Sequence, residues 1–137
     1  MKDKFAPIKT IHFALCTGAA LVYFLLGEVY KLDFLDLPEI DTTTLIYLIV
    51  PFSALFASNF MYKNILRKAD PKLPMESRIG TYQTAVIVRL AILEGAAFVI
   101  LFLKKELLVI GLFLIIYMAF LRPSEDAMKR DFHLLGK

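Results

Sequence analysis

The 137 residues contain no tryptophan, one cysteine and two histidines. A lone thiol, Cys16, cannot close an intramolecular disulfide, so no covalent framework holds this chain. His12 and His133 stand at opposite ends of the sequence, which leaves no Cys/His cluster with metal-ligand spacing and no facing imidazoles to clamp a haem. The six glycines are dispersed, excluding a phosphate-cradling loop, and no Ser/His/Asp arrangement points to a hydrolase. No cofactor and no enzymatic chemistry are expected.

What is abundant is apolar surface. Hydrophobic residues make up 58% of the chain, more than a soluble domain of this length can hide, so lipid must cover much of it. Four segments read as helices: residues 10–27, 43–62, 79–103 and 107–121. A helix rises about 1.5 Å per residue and needs about 20 residues to cross the hydrocarbon core. The first three segments meet or approach that length. The fourth is short and must borrow Lys104–Glu106 or Arg122 as snorkelling flanks, or thin the bilayer. The expected fold is all-α: one four-helix integral membrane bundle over residues 1–137. Lys2, Lys4 and Lys9 ahead of small residues 17–20 resemble a signal sequence, but the apolar run continues through Leu26, so a retained first helix is expected.

Charge placement sets an expected topology. The amino end, the second connection (Lys63, Arg67, Lys68, Lys72, Arg78) and the tail (Arg122, Lys129, Arg130, Lys137) hold twelve of the sixteen basic residues. Basic residues accumulate on the cytoplasmic side, which places both termini inside a bacterial inner membrane and the acidic first connection (Asp33, Asp36, Glu39, Asp41) outside. This basic rim suits anionic lipid; without aromatic interleaving it does not suit nucleic acid. Tyr30, Tyr47, Tyr62 and Tyr82 fall near segment ends, where amphipathic rings favour the interface.

Pro38, Pro71 and Pro74 break the first two connections, and the third is short enough for a tight hairpin. Pro51 lies inside the second helix and predicts a kink, with Ser53 near enough to bond a freed carbonyl. Beyond Arg122, Met128, Phe132 and Leu135 recur at helical spacing, with acidic residues first and basic ones later. A helix over about 124–135, lying on the membrane surface, is expected.

Shifting the chain by 77 residues lays helix one on helix three, with six identities over the sixteen positions from Ile11 to Leu26. This pattern fits a duplicated hairpin or the chance recurrence of small residues. Under the shift, His12 corresponds to Arg89 and Thr17 to Glu94. Both helices carry a small-xxx-small step, Ala14/Gly18 and Ala91/Gly95, and helix two supplies Ser53/Ala57 and Ala54/Ser58. Such steps let backbones approach closely in lipid. Helices one, two and three are therefore expected to form the interior, with helix four facing lipid.

Arg89 and Glu94 are the candidate site, because an ionised side chain in the middle of an apolar run is costly. Five residues apart, they differ by about 140° around a helix and do not share a face. Arg89 is expected to snorkel or to meet another helix, near Ser58 and Asn59, and Thr17 is a candidate partner for Glu94. Glu94 has two readings: a protonatable ion carrier, or a structural carboxyl bonding a neighbouring helix or a second subunit.

Arg89–Ala97, followed by a short hairpin and Arg122-Pro123-Ser124, resembles a family of small four-span membrane proteins of Bacteroidota type. Glu94-Gly95-Ala96 also resembles the ion-carrying helix of ATPase proteolipid subunits, which would imply that Glu94 is the ion carrier. Glu94, however, lies on the first helix of its hairpin, and no glycine-repeat inner helix accompanies it. The small multidrug transporters share four short helices and a membrane carboxylate, but theirs lies on the first helix. The expectation is a structural or accessory membrane protein, in a homo-oligomer or larger complex; the alternative is proton- or cation-coupled transport through Glu94.

Overall fold

The computed structural model describes residues 2–26, 42–103 and 107–136, and among them every regular element is helical. A 3-10 turn, Lys2–Phe5, leads into α1 (Ala6–Leu26). Then come α2 (Thr42–Arg67), a second 3-10 turn (Met75–Arg78), α3 (Ile79–Leu103), α4 (Leu108–Phe120) and α5 (Glu125–Leu134). Helices α1, α2 and α3 are long and apolar enough to cross a membrane; α4 qualifies only if joined to α5 across a 99° bend. The outer surface matches: Phe13, Phe52, Phe56, Phe102, Phe113 and Phe120 are all exposed, an arrangement stable only against lipid or protein.

The apolar runs mark the helices well, but several bounds move. Pro7 suits the first turn of α1, where no intrahelical donor is needed, so that helix starts four residues before the expected 10. The second helix continues to Arg67 rather than stopping at 62. Pro51 is buried inside a continuous α2, and Ser53 is exposed and, among the described residues, makes no bond to a freed carbonyl. Instead the Ser58 hydroxyl and the Asn59 amide both donate to the Leu55 carbonyl, at 3.1 and 2.9 Å. The expectations for Tyr30, Pro38 and the acidic first connection, and for the turn at 104–106, lie outside the described residues.

The arrangement of the helices corrects the expected interior. Helix α3 is the centre, burying residues from Ile79 to Leu101. It packs most extensively on α2, then on α4 and α1, while α1 also packs on α4. Helix α4 is therefore an inner element, with Leu108, Gly111, Leu114, Ile115 and Met118 buried. The close approach is made at Gly111, where an added Cβ would stand 2.7 and 2.8 Å from ring carbons of Tyr23. Tyr23 is itself fully buried and donates its hydroxyl proton to the Ala97 carbonyl, joining α1, α3 and α4.

The predicted small-residue steps do not make the close contacts expected of them. Gly18 and Gly95 have no atom within 4 Å of an added Cβ, and Ala14 and Ala91 are exposed. Within one chain these steps face outward, because larger side chains on the opposite faces of α1 and α3 fill the interior. On α2 the Ser53/Ala57 step is corrected in the same sense: Ser53 is exposed and Ala57 only half-buried. The neighbouring step, Ala54/Ser58, is the buried one. One position along a helix is a rotation of about 100°, enough to carry one step into the protein and leave the other at its edge.

Helices α1 and α3 run in parallel: the rings of Phe5 and Tyr82 meet edge-on at one end, and Tyr23 reaches Ala97 further along. That register is close to the 77-residue shift of the sequence similarity.

Candidate functional site

Helix α4 has 13 residues and α3 has 25, so α4 leaves the first turns of α3 uncovered. The chain covers them by turning back. Ser124 caps α5, its side-chain oxygen accepting from the Ala127 amide at 3.0 Å, and Glu125 and Asp126 complement the helix dipole. Met128 and Phe132 are then fully buried against the chain itself. This corrects the expectation that the apolar face of the tail helix lies on lipid: the exposed ends of α2 and α3 offer the same burial. The Arg78 guanidinium stacks over Phe132 at 5.4 Å, and the Ser124 amide donates to the Tyr82 hydroxyl at 3.3 Å. Tyr62 donates its hydroxyl proton to the Asp131 carboxylate. Tyr62 and Tyr82 are thus interior residues rather than interfacial anchors, because α5 seals them.

Arg89 lies at the inner edge of this cap. It is 9% exposed, and its guanidinium carbon sits 3.7 Å from the centre of the Tyr62 ring. That distance marks a cation–π contact, which is worth about 2 kcal/mol when desolvated. Among the described residues Arg89 makes no hydrogen bond or ion pair, and its Nε is fully buried without an acceptor. It lines one cavity of about 460 Å³ with Tyr82, Leu121, Arg122, Arg130 and Asp131. It also lines a second, of about 400 Å³, with Asn59, Tyr62, Lys63 and Asp131. Asp131 is occupied by Tyr62 and by Arg130, whose Nε is 3.1 Å away. That hydrogen bond holds the Arg130 guanidinium pKa above its ordinary value. Arg89 therefore lies level with the end of α4, in a polar chamber under α5, rather than midway along the apolar part of α3. The apolar run 79–103 exceeds the exposed part of its helix, because Ile79, Tyr82, Ala85 and Val86 of its first ten residues are buried by protein.

The four predicted site residues do not converge. Asn59 shares a cavity with Arg89, but its amide donates to the Tyr117 hydroxyl at 3.1 Å, stitching α2 to α4. Glu94 is half-buried and, among the described residues, makes no hydrogen bond or ion pair, with Thr17 or with any other group. Thr17 is exposed on the groove between α1 and α4. As their spacing requires, Arg89 and Glu94 form no ion pair.

No family model, curated protein or solved structure matches this chain. Two residues of the site were missed. His12, buried in α1, donates from Nε2 to the Met118 carbonyl at 2.8 Å, an oxygen that also accepts the Leu121 amide at 3.1 Å where α4 ends. Its signal was faint: an imidazole seven positions into an apolar helix. Asp131 gave none, since a carboxylate in an amphipathic tail ordinarily faces water.

Proposed function

We propose that the chain is an integral inner-membrane protein of structural or accessory type, a small subunit packed into a homo-oligomer or a larger complex. What carries this reading is Glu94. A carboxyl in an apolar run needs a partner, yet this one has none among the described residues, and its neighbours Ala91 and Gly95 open outward. A second chain laid on that face supplies both the close contact and the hydrogen-bond donor. Both termini are read as cytoplasmic because the basic amino end, the second connection and α5 gather at one end: Lys4 pairs with Glu76 at 2.7 Å, and Tyr82 meets Ser124. The test is cross-linking through Ala91→Cys, in a Cys16→Ala background, in native membranes. A linked species is expected; recovery as a lone, monodisperse monomer with no associated protein would refute the reading.

Proton- or cation-coupled transport is the second reading, favoured by the same unpartnered carboxyl. It rests on Glu94 alone, since Arg89 is committed to the Tyr62 ring. Equal flux by wild type and Glu94→Gln in proteoliposomes would remove it.

A further inference from the structure

Two cavities meet where α4 turns into α5. One is the Arg89 chamber of about 460 Å³. The other is a groove of about 1020 Å³ between α1 and α4, walled by Phe13, Leu21, Phe24, Ile115 and Ile116. Arg122 and Ser124 line both, and Lys9 joins them on the groove side. The groove is thus an apolar trough with two exposed cations at one end and no carboxylate along it. Among the described residues neither Lys9 nor Arg122 has an ion-pair partner. Arg89 shares the chamber with Arg122, nine-tenths buried and with its Nε lacking an acceptor.

We propose that the trough and chamber together bind one anionic glycerophospholipid. Its acyl chains lie along α1 and α4, and its phosphate rests on Lys9 and Arg122 with Arg89 behind. Charge selects this occupant. With Lys9 the site holds four cations, Arg89, Arg122 and Arg130 being the others, against two carboxylates, Asp126 and Asp131; Asp131 is taken by Tyr62 and Arg130, and Arg89 and Arg122 have no bonded counter-charge among the described residues. A phosphodiester with no ammonium of its own supplies acceptors for both, and charge-assisted bonds to phosphate are the strong ones. A zwitterionic headgroup brings a further cation into a site where cations already outnumber carboxylates. The apolar walls account for a lipid rather than a free anion. The proposal does not depend on the subunit reading above.

The test uses the full chain, purified in mild detergent and titrated with phosphatidylglycerol, phosphatidylcholine or inorganic phosphate, with bound lipid read by native mass spectrometry. One phosphatidylglycerol is expected to stay bound, favoured over phosphatidylcholine by roughly tenfold or more, about 1.4 kcal/mol per decade. Inorganic phosphate is expected not to displace it. Lys9→Gln with Arg122→Gln, both at exposed positions, should abolish the preference without altering the melting temperature. Ala119→Phe, at an exposed position on the trough wall, should weaken both lipids. Equal retention of the two lipids, or a preference that survives the double substitution, would overturn the proposal. Displacement by inorganic phosphate would overturn it in favour of a free-anion site.

Discussion

The same substitution should act with opposite signs at three helical glycines. At Gly18 and Gly95 an added methyl meets nothing within 4 Å, so alanine gains only the helix-propensity difference, about 0.5–1 kcal/mol of stabilisation. At Gly111 the methyl lies against the Tyr23 hydroxyl and 2.7 and 2.8 Å from two ring carbons. Tyr23 cannot swing aside cheaply, being fully buried and bonded to the Ala97 carbonyl. Displacing it costs about 1 kcal/mol for that bond and about 1–3 kcal/mol for overpacking, of which the propensity gain returns at most about 1. Gly111→Ala should therefore destabilise by about 1–3 kcal/mol.

Without tryptophan, the single Cys16 can report unfolding. It is half-buried, and a thiol-reactive dye in a thermal ramp reads its exposure, with far-UV circular dichroism as a second readout because Gly18 is close in sequence. At roughly 4 °C per kcal/mol for a chain of this size, Gly111→Ala should fall by several degrees and the other two should hold or rise. A Gly111→Ala melt at or above wild type would refute the three-helix contact at Tyr23. A loss at Gly18 or Gly95 in dispersed monomer would refute their outward placement. In native membranes Gly95→Ala should instead weaken association, because the proposed subunit contact uses that face.

His12→Leu removes the side-chain donor to the Met118 carbonyl, which keeps the Leu121 amide, and should cost about 0.5–1.5 kcal/mol in the same melt; an unchanged melt would show that this bond between α1 and α4 adds nothing to stability. Ser124→Ala removes the α5 cap and about 1 kcal/mol, read as faster amide hydrogen exchange over residues 125–134 with α3 unaffected. Arg89→Met gives up a cation–π contact worth about 2 kcal/mol but also removes a buried donor that costs about 1–3 kcal/mol unpaired, so its stability should stay within about 1 kcal/mol of wild type. Tyr62→Phe keeps the ring under Arg89 and loses only the bond to Asp131, so it should loosen α5 in hydrogen exchange more than Arg89→Met does.

The helices were legible because each is an apolar run, and α5 because Met128 and Phe132 sit one turn apart. What covers those faces was not, since periodicity marks a buried face without naming its neighbour. Gly18, Gly95 and Gly111 look alike in sequence, each a glycine in a hydrophobic run; only Tyr23, distant from Gly111 along the chain, distinguishes the one in close contact. Ser53/Ala57 and Ala54/Ser58 are equally indistinct, and only the neighbours of α2 decide which step is buried. Arg89 announced itself as a charge among apolar residues, but Tyr62 and Asp131 come from other elements, and no local pattern connects them. One signal could have located the chamber. A fourth segment of fifteen residues beside a third of twenty-five leaves about ten residues of α3 beyond the reach of α4, some 15 Å at the helix rise. The chain had one unassigned amphipathic face to cover them, that of α5. Matching the missing length to the spare face places α5 over α2 and α3, moves Arg89 from mid-run to the edge of a protein-covered cap, and leaves Glu94 as the charged residue still beside open surface.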